Sequence, residues 1–294
     1  MILAHMIRTR PARRRGVAPG RSRLRLGGSL AALTGLVLVA PIGKAAPAHD
    51  DSVDVTSSIV LPAPGETEVL PAVTTPFGPG EVLKFSVQWG PVHAGTATLE
   101  VPSIVEWNNH PAYRLVARAE SNGFVSRFYK VRNYIESVWD KNDNFSYRYT
   151  EDRHEGKYTE INEIVFDQVR NEARYKDGRT FPVPPRVQDA LSAFYYARTQ
   201  ALPIGGSLIF DYHASRKSQP LEVRVLGRER VTTPAGTFNC VVIEPLLRAG
   251  GVFKNKGKLW IWLTDDDHRM PVMMKSKVAI GSVSVILQQA KVGT

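Results

Sequence analysis

Lys84-Phe85-Ser86-Val87-Gln88-Trp89-Gly90-Pro91 decides how the chain is read. Phe85, Val87 and Trp89 alternate with Lys84, Ser86 and Gln88, and Gly90-Pro91 then breaks the run. Side chains two residues apart share a face of an extended strand, so this period marks a half-buried β-strand ending in a turn. The pattern repeats on both sides. Ala97, Leu99 and Val101 alternate with Thr98 and Glu100, and Tyr113, Leu115 and Ala117 alternate with Arg114 and Arg118. Further alternating stretches lie at 133–139, 145–153, 158–166, 172–176, 207–214, 221–231, 237–247, 258–264, 272–280 and 282–289. Asp140-Lys141-Asn142-Asp143-Asn144, Asp177-Gly178, Pro234-Ala235-Gly236 and Asp265-Asp266-Asp267 supply turn chemistry between them. Many short strands joined by hairpins predict a mainly β fold. The expected form is a single antiparallel sheet, strongly curved or barrel-like so that its edges are protected, with one or two short helices.

Two segments depart from period two. Val187, Leu191, Phe194, Tyr195 and Arg198 fall at helical spacing, predicting an amphipathic helix over 187–199. Ser121–Tyr129 is a weaker helical candidate, with Phe124, Val125 and Phe128 as its apolar side.

Residues 1–48 read as a signal peptide. Arg8, Arg10, Arg13, Arg14, Arg15, Arg21, Arg23 and Arg25 precede an apolar run from Leu26 to Ala40, then Pro41, Gly43 and the small-residue stretch Ala46-Pro47-Ala48. The apolar run is shorter than the roughly 20 residues that span a bilayer. An uncleaved anchor is therefore the lesser alternative to cleavage after Ala48. Arg13-Arg14-Arg15 lacks the apolar residue that a twin-arginine signal places after it, and the cleavage region has no cysteine for lipid attachment. Residues 49–77, rich in Pro, Ser, Thr and acid, read as a flexible linker, and 78–294 as the β domain. Export to the periplasm or beyond is the expectation, with no stable transmembrane segment after cleavage.

Charge would otherwise mislead. The formal net charge is +10, which invites a nucleic-acid partner. Nine of those charges come from residues 1–48, which hold eight Arg and Lys44 and no acid, so the remainder is one charge from neutral. A nucleic-acid partner is excluded on that ground. Cys240 is the single cysteine, so no intramolecular disulfide or cysteine-based zinc site is available. It sits in the apolar run Phe238–Ile243 and reads as a small core residue.

Chemistry-bearing patterns are sparse. The histidines lack metal-ligand spacing, and Asp265-Asp266-Asp267-His268 reads as a solvated turn before it reads as a cation loop. No nucleophile elbow or phosphate cradle occurs, so neither a catalytic set nor a cofactor is expected. Asp211 and His213 share a strand face and are the nearest approach to an acid–base pair.

The candidate ligand site lies at 254–263. Lys254, Lys256, Lys258, Trp260 and Trp262 take one parity, while Leu259, Ile261 and Leu263 take the other. A strand apolar on both faces is either covered on both, here by the helix over 187–199, or lines a pocket with lysines at its mouth.

Several motifs carry a family resemblance. Pro79-Gly80-Glu81 with Phe85 and Trp89-Gly90, Ala94-Gly95 leading into Leu99-Glu100-Val101, Asp189-Ala190-Leu191-Ser192-Ala193-Phe194-Tyr195-Tyr196, Thr233-Pro234-Ala235-Gly236-Thr237-Phe238, and Trp262-Leu263-Thr264-Asp265-Asp266 continuing to Arg269-Met270-Pro271-Val272 are the residues concerned. Over 78–289 the chain resembles the bacterial envelope family catalogued as domain of unknown function number 3108. The resemblance implies a secreted or periplasmic, mostly β protein and supplies no catalytic residues. The functional expectation is a non-enzymatic protein binding an apolar or amphipathic envelope component, a lipid or other amphiphile. The alternatives are an interaction module recruiting an envelope protein through a sheet edge and, at lowest weight, a hydrolase built around Asp211 and His213.

Overall fold

The computed structural model describes residues 69–72, 76–249, 252–253, 258–278 and 281–293. The strands in chain order are β1 (Val69–Leu70), β2 (Glu81–Trp89), β3 (Val92–Trp107), β4 (His110–Ser121), β5 (Val131–Asp140), β6 (Ser146–Glu155), β7 (Tyr158–Asp167), β8 (Glu172–Tyr175) and β9 (Thr180–Pro182). They continue with β10 (Leu202–Pro203), β11 (Ser207–Ala214), β12 (Lys217–Thr233), β13 (Gly236–Ala249), β14 (Val252–Phe253), β15 (Lys258–Thr264), β16 (Pro271–Val278) and β17 (Gly281–Lys291). A single α-helix, α1 (Ala190–Thr199), and a 3₁₀ turn at Val125–Arg127 complete the described elements.

The ladder is antiparallel throughout, in the order β11-β12-β13-β15-β16-β17-β2-β3-β4-β5-β6-β7-β8-β9, with β14 paired to β13 and a separate pair β1-β10. Tight hairpins fix the register. Asn108 and Asn109 adopt φ of 49° and 65°, the two-residue geometry that matches strand twist, and they set Trp107 opposite His110.

The expectation of a strongly curved or barrel-like sheet is corrected here. The hydrogen-bonded path is open, ending at β11 on one side and β9 on the other, and those strands do not pair with each other. The physical reason is local. β9 is three residues long and ends in Pro182, which has no N–H to donate to a further strand. The outer edge of β11 is used instead by an isolated parallel bridge from Gln188, whose N–H donates to the Asp211 carbonyl at 3.0 Å and whose carbonyl accepts from the His213 N–H at 2.8 Å. The sheet therefore stops where its edges are short or already covered.

One face of the sheet carries the main core. Leu83, Phe85 and Val87 of β2, Leu99 of β3, Leu115 of β4, Ile261 and Leu263 of β15, and Val285 and Leu287 of β17 pack there with Leu191 and Tyr195 of α1. A smaller cluster of Val231, Cys240, Val242, Trp262 and Val272 forms separately. β13 and β15 feed alternate residues to the two clusters, which explains their unbroken apolar runs.

The helix is shorter than its expected 187–199 because Asp189 caps it. The buried Asp189 carboxylate accepts from the Leu191 and Ser192 N–H groups at 2.8 Å, and Ser192 Oγ accepts from the Asp189 N–H in return. Ser137 Oγ donates to the same carboxylate at 2.6 Å, tying the cap to β5. Of the weaker candidate at 121–129 only the 3₁₀ turn forms. The stretch read as a linker is described from residue 69, and Val69–Leu70 pairs with Leu202–Pro203 while Phe77 is buried against Tyr113 and Tyr195. The folded part thus begins earlier than Gly78.

At the other end of α1, Arg198 is wholly buried and bonds both carboxylate oxygens of Glu81 on β2, at 2.8 and 2.7 Å. It also donates to the carbonyls of Pro76 and His268 and lies 4.8 Å from the Phe77 ring centroid. Burial alone would depress its guanidinium, but the charge of Glu81 holds it above its ordinary value. Removing one partner leaves an uncompensated buried charge. Glu81→Ala is expected to cost about 3–5 kcal/mol in urea unfolding, and Glu81→Leu with Arg198→Met less than either single change. A double variant as unstable as the sum of the singles would contradict this reading.

Candidate functional site

Between the two open ends of the sheet lies a cleft of about 480 Å³, lined from β6, β7, β8 and the β11–β12 hairpin. β6 builds one wall. Tyr149, Glu151 and Arg153 are buried at alternate positions while Arg148, Thr150, Asp152 and His154 are only half-buried. The wall facing the interior is therefore charged. Tyr149 Oη donates to Glu151 Oε2 at 2.7 Å, and burial is the first reason the Glu151 carboxyl stands above its ordinary value. Arg153 bonds Glu155 at 2.9 Å with both side chains buried, and its guanidinium lies 5.5 Å from the Tyr158 ring centroid.

The facing wall is the hairpin after β11. His213 is buried, with Nε2 2.9 Å from Tyr175 Oη and Nδ1 2.8 Å from Ser218 Oγ. Burial pushes the Tyr175 phenol up to about 12, so it keeps its proton at neutral pH. Its oxygen already accepts the Arg216 N–H at 2.7 Å. Tyr175 donating to Nε2, with Nδ1–H donating to Ser218, is the assignment that also gives the phenol proton an acceptor. Burial lowers the imidazole to about 4. Ser215 and Arg216 both adopt left-handed φ, of 50° and 65°, where glycine or asparagine is the usual choice. That hairpin is held by the Tyr175 bond and by an Arg216–Asp177 ion pair at 2.8 Å. The two ends of the sheet thus meet through side chains, with Tyr175 and Asp177 on one and His213 and Arg216 on the other.

Of the residues singled out in sequence, Lys254 and Lys256 lie outside the described residues. Lys258 is exposed, its Nζ 5.8 Å from the Trp260 ring centroid, and Trp260 is half-buried. Trp262 is buried in the smaller cluster, donating its indole N–H to Glu229 Oε2 at 2.7 Å. The helix does not cover these indoles, because it packs in the main core with Ile261 and Leu263 of the opposite parity. Asp211 and His213 do not join as a dyad, since Tyr175 and Ser218 occupy both ring nitrogens. In the acidic turn, Asp266 Oδ1 accepts from Thr264 Oγ1 and from the His268 and Arg269 N–H groups, while Asp265 pairs with Arg228 at 2.6 Å.

Sequence reading picked out His213 and missed Tyr149, Glu151, Arg153, Tyr175 and Arg216. In Tyr149–Glu155 both parities are polar, so alternation gives no contrast between inner and outer faces. The available signal was Ser215-Arg216, an unusual sequence for a two-residue hairpin turn.

Residues 84–288 match the family described as "Protein of unknown function (DUF3108)". The chain belongs to the DUF3108 family. No curated protein matches the sequence. Among solved structures, this DUF3108 chain is similar to the beta-barrel-like protein of domain of unknown function DUF1849 from Brucella abortus. The TM-score is 0.52 at 7% identity, covering 77% of this chain and 100% of that one. A candidate lipoprotein from Parabacteroides distasonis is next, with a TM-score of 0.34, 12% identity and coverage of 76% and 100%. A candidate exported protein with a YmcC-like fold from Bacteroides fragilis gives 0.29, 11%, and coverage of 75% and 99%. The first of these supports the mainly β fold of the DUF3108 domain. Among the described residues no helix is long and apolar enough to cross a membrane.

The buried imidazole sets a pH dependence. Above its ordinary value of 6.5 the ring is neutral folded or unfolded; between 6.5 and about 4 only the unfolded chain takes up the proton. Stability is therefore expected to fall across that window, by about 3 kcal/mol from this residue alone. Glu151 and Asp189, both raised by burial, act in the opposite sense as pH drops. The isolating comparison is His213→Gln, whose unfolding free energy should decline less than the parent's between those pH values. Equal declines would contradict it.

Proposed function

We propose that this is an exported binding protein, not an enzyme, which holds the polar head of an amphipathic envelope component in the cleft between the open ends of its sheet. The cleft itself carries the reading. Its volume of about 480 Å³ is in the range of small-molecule sites. Its lining mixes the rings of Tyr149, Tyr158 and Tyr175 with Ile161 and Ile164 and with the buried polar groups of Glu151, Arg153 and His213. Aromatic faces with a few convergent hydrogen-bonding groups suit a ligand that is part apolar and part polar. Binding is favoured over catalysis because His213 is engaged at both nitrogens and its low affinity for protons makes it a weak base at neutral pH. The basic, apolar and small-residue plan of residues 1–48 supports export.

A second reading rests on the β11 edge. Its outer side is bridged at Asp211–His213 by Gln188, while among the described residues Ser207–Phe210 pairs with β12 alone and Ile209 is exposed. An extended partner segment could add there as a strand.

Native mass spectrometry of the gently purified protein tests the cleft reading. A bound amphiphile is expected in the parent protein, to be lost in Ala214→Trp, which fills the cleft, and kept in Trp260→Ala. Retention in the first variant and loss in the second would move the site to the tryptophan strand. A ligand-free mass with a strand-docked protein partner would favour the β11 edge.

A further inference from the structure

Three hairpin tips converge at one pole of the molecule. The Asn122 N–H donates to the Ala94 carbonyl at 2.8 Å and Asn122 Nδ2 to the His93 carbonyl at 2.6 Å, placing the β4–β5 connection beside the β2–β3 turn. The Gly156 N–H donates to the Lys130 carbonyl at 2.8 Å, bringing up the β6–β7 turn on the other side. The Gly90 N–H donates to the Ser282 carbonyl, so the start of β17 joins as well.

This pole projects large apolar side chains into solvent. Phe128 is 80% exposed, Phe124 61%, Trp89 47% and Val92 40%. The two phenylalanines meet edge to face with ring centroids 5.8 Å apart, so they form one knob. Val125 between them points the other way and packs on the main core, anchoring the turn. Asn122 Oδ1 accepts the Val125 N–H at 2.9 Å, and Ser121 and Ser126 bond each other through their hydroxyls at 2.7 Å. The knob is thus presented by a held turn. Scattered exposed apolar residues are ordinary, but adjacent hairpin tips carrying them together are not.

The charge at the hairpin tips themselves is positive, and the nearest acids, Glu120 and Glu160, lie on the strands just behind them. Arg127, Lys130, Lys157 and Lys277 are exposed here. Across residues 89–93, 121–130 and 155–158 the one acid is Glu155, which is buried and paired with Arg153. Aromatic and aliphatic side chains that protrude, ringed by cations, match the interface of an anionic bilayer: rings at the headgroup–acyl boundary, cations on phosphates. Protein–protein interfaces, by contrast, are depleted in lysine relative to the rest of the surface.

We infer that this pole docks the protein on an anionic lipid bilayer, with Phe124 and Phe128 inserted into the interface and Arg127, Lys130, Lys157 and Lys277 on the headgroups. Tyr158 belongs both to the β6–β7 hairpin and to the cleft lining, so docking sets the cleft beside the bilayer surface.

A position-specific probe tests this in the full chain. Cys240 is buried and burial pushes its thiol up to about 12, so an environment-sensitive fluorophore placed on Phe128→Cys labels that site selectively. Val169→Cys, in the turn after β7 at the opposite end of that strand, is the control. With vesicles of phosphatidylethanolamine and phosphatidylglycerol, the label at 128 should shift to the blue and be quenched by a lipid-borne nitroxide, while the label at 169 should not. Lys130→Gln should weaken the partitioning about fivefold. This local readout distinguishes the pole from membrane binding by the basic, apolar residues 1–48. A label at 128 that stays in water while the protein sediments with vesicles would overturn the inference. So would equal shifts at 128 and 169, equal shifts with phosphatidylcholine alone, or a 128 label protected only by an envelope protein fraction.

Discussion

The buried ion pair of Arg198 and Glu81 is the constraint on which the arrangement depends. A helix packed on one antiparallel sheet has few ways to fix its position, since apolar contacts are non-directional. Here its last turn carries a planar cation whose terminal nitrogens bond both carboxylate oxygens of Glu81 on β2 and the backbone carbonyls of Pro76 and His268. A charge pair so deep is costly unless its geometry is satisfied, so it tolerates one placement of the helix. At the other end of α1 the Asp189 cap is tied to Ser137. Gln188, just before it, accepts from the Trp139 indole at 3.0 Å and bridges to β11. The segment leading into the helix therefore occupies part of the outer edge of β11 and helps to leave the sheet open, with a cleft where a further strand pairing would be.

Much of the fold was legible because the physics that builds it is local. Period-two alternation in Phe85–Trp89 and Ala97–Val101 and the turn residues of 140–144 report burial and chain reversal directly. Arg198 was visible on the helical stripe with Leu191 and Tyr195, although its burial with Glu81 depends on a contact 117 residues away in sequence. Openness of the sheet was not legible, because it turns on the shortness of β9 and on Gln188 reaching β11. Neither leaves a pattern in hydropathy. The interior wall of the cleft was hidden for the converse reason. Glu151 and Arg153 look like surface residues until Tyr149, Glu155 and Tyr158 are brought round them. Trp260 and Trp262 lie on β15, and hydropathy could not show that the smaller cluster and Glu229, not the helix, receive Trp262.

Cleft and pole share a hairpin. Lys157 and Tyr158 lie at the tip and start of β7, and the same strand contributes Ile161, Asn162 and Ile164 to the cleft. On the proposed reading, hairpin tips laid on a bilayer beside a small polar-lined cleft would let the cleft receive an amphiphile head first from that surface. The mixed lining would offer hydrogen bonds to such a head and tyrosine rings to the adjoining apolar segment.

Hydrogen–deuterium exchange of the protein with and without a total envelope lipid extract tests the cleft as the ligand site most directly. Bound ligand is expected to slow exchange in 149–164 and in the hairpin 213–216, leaving 258–263 unchanged. Protection confined to 258–263, or none anywhere, would contradict that assignment.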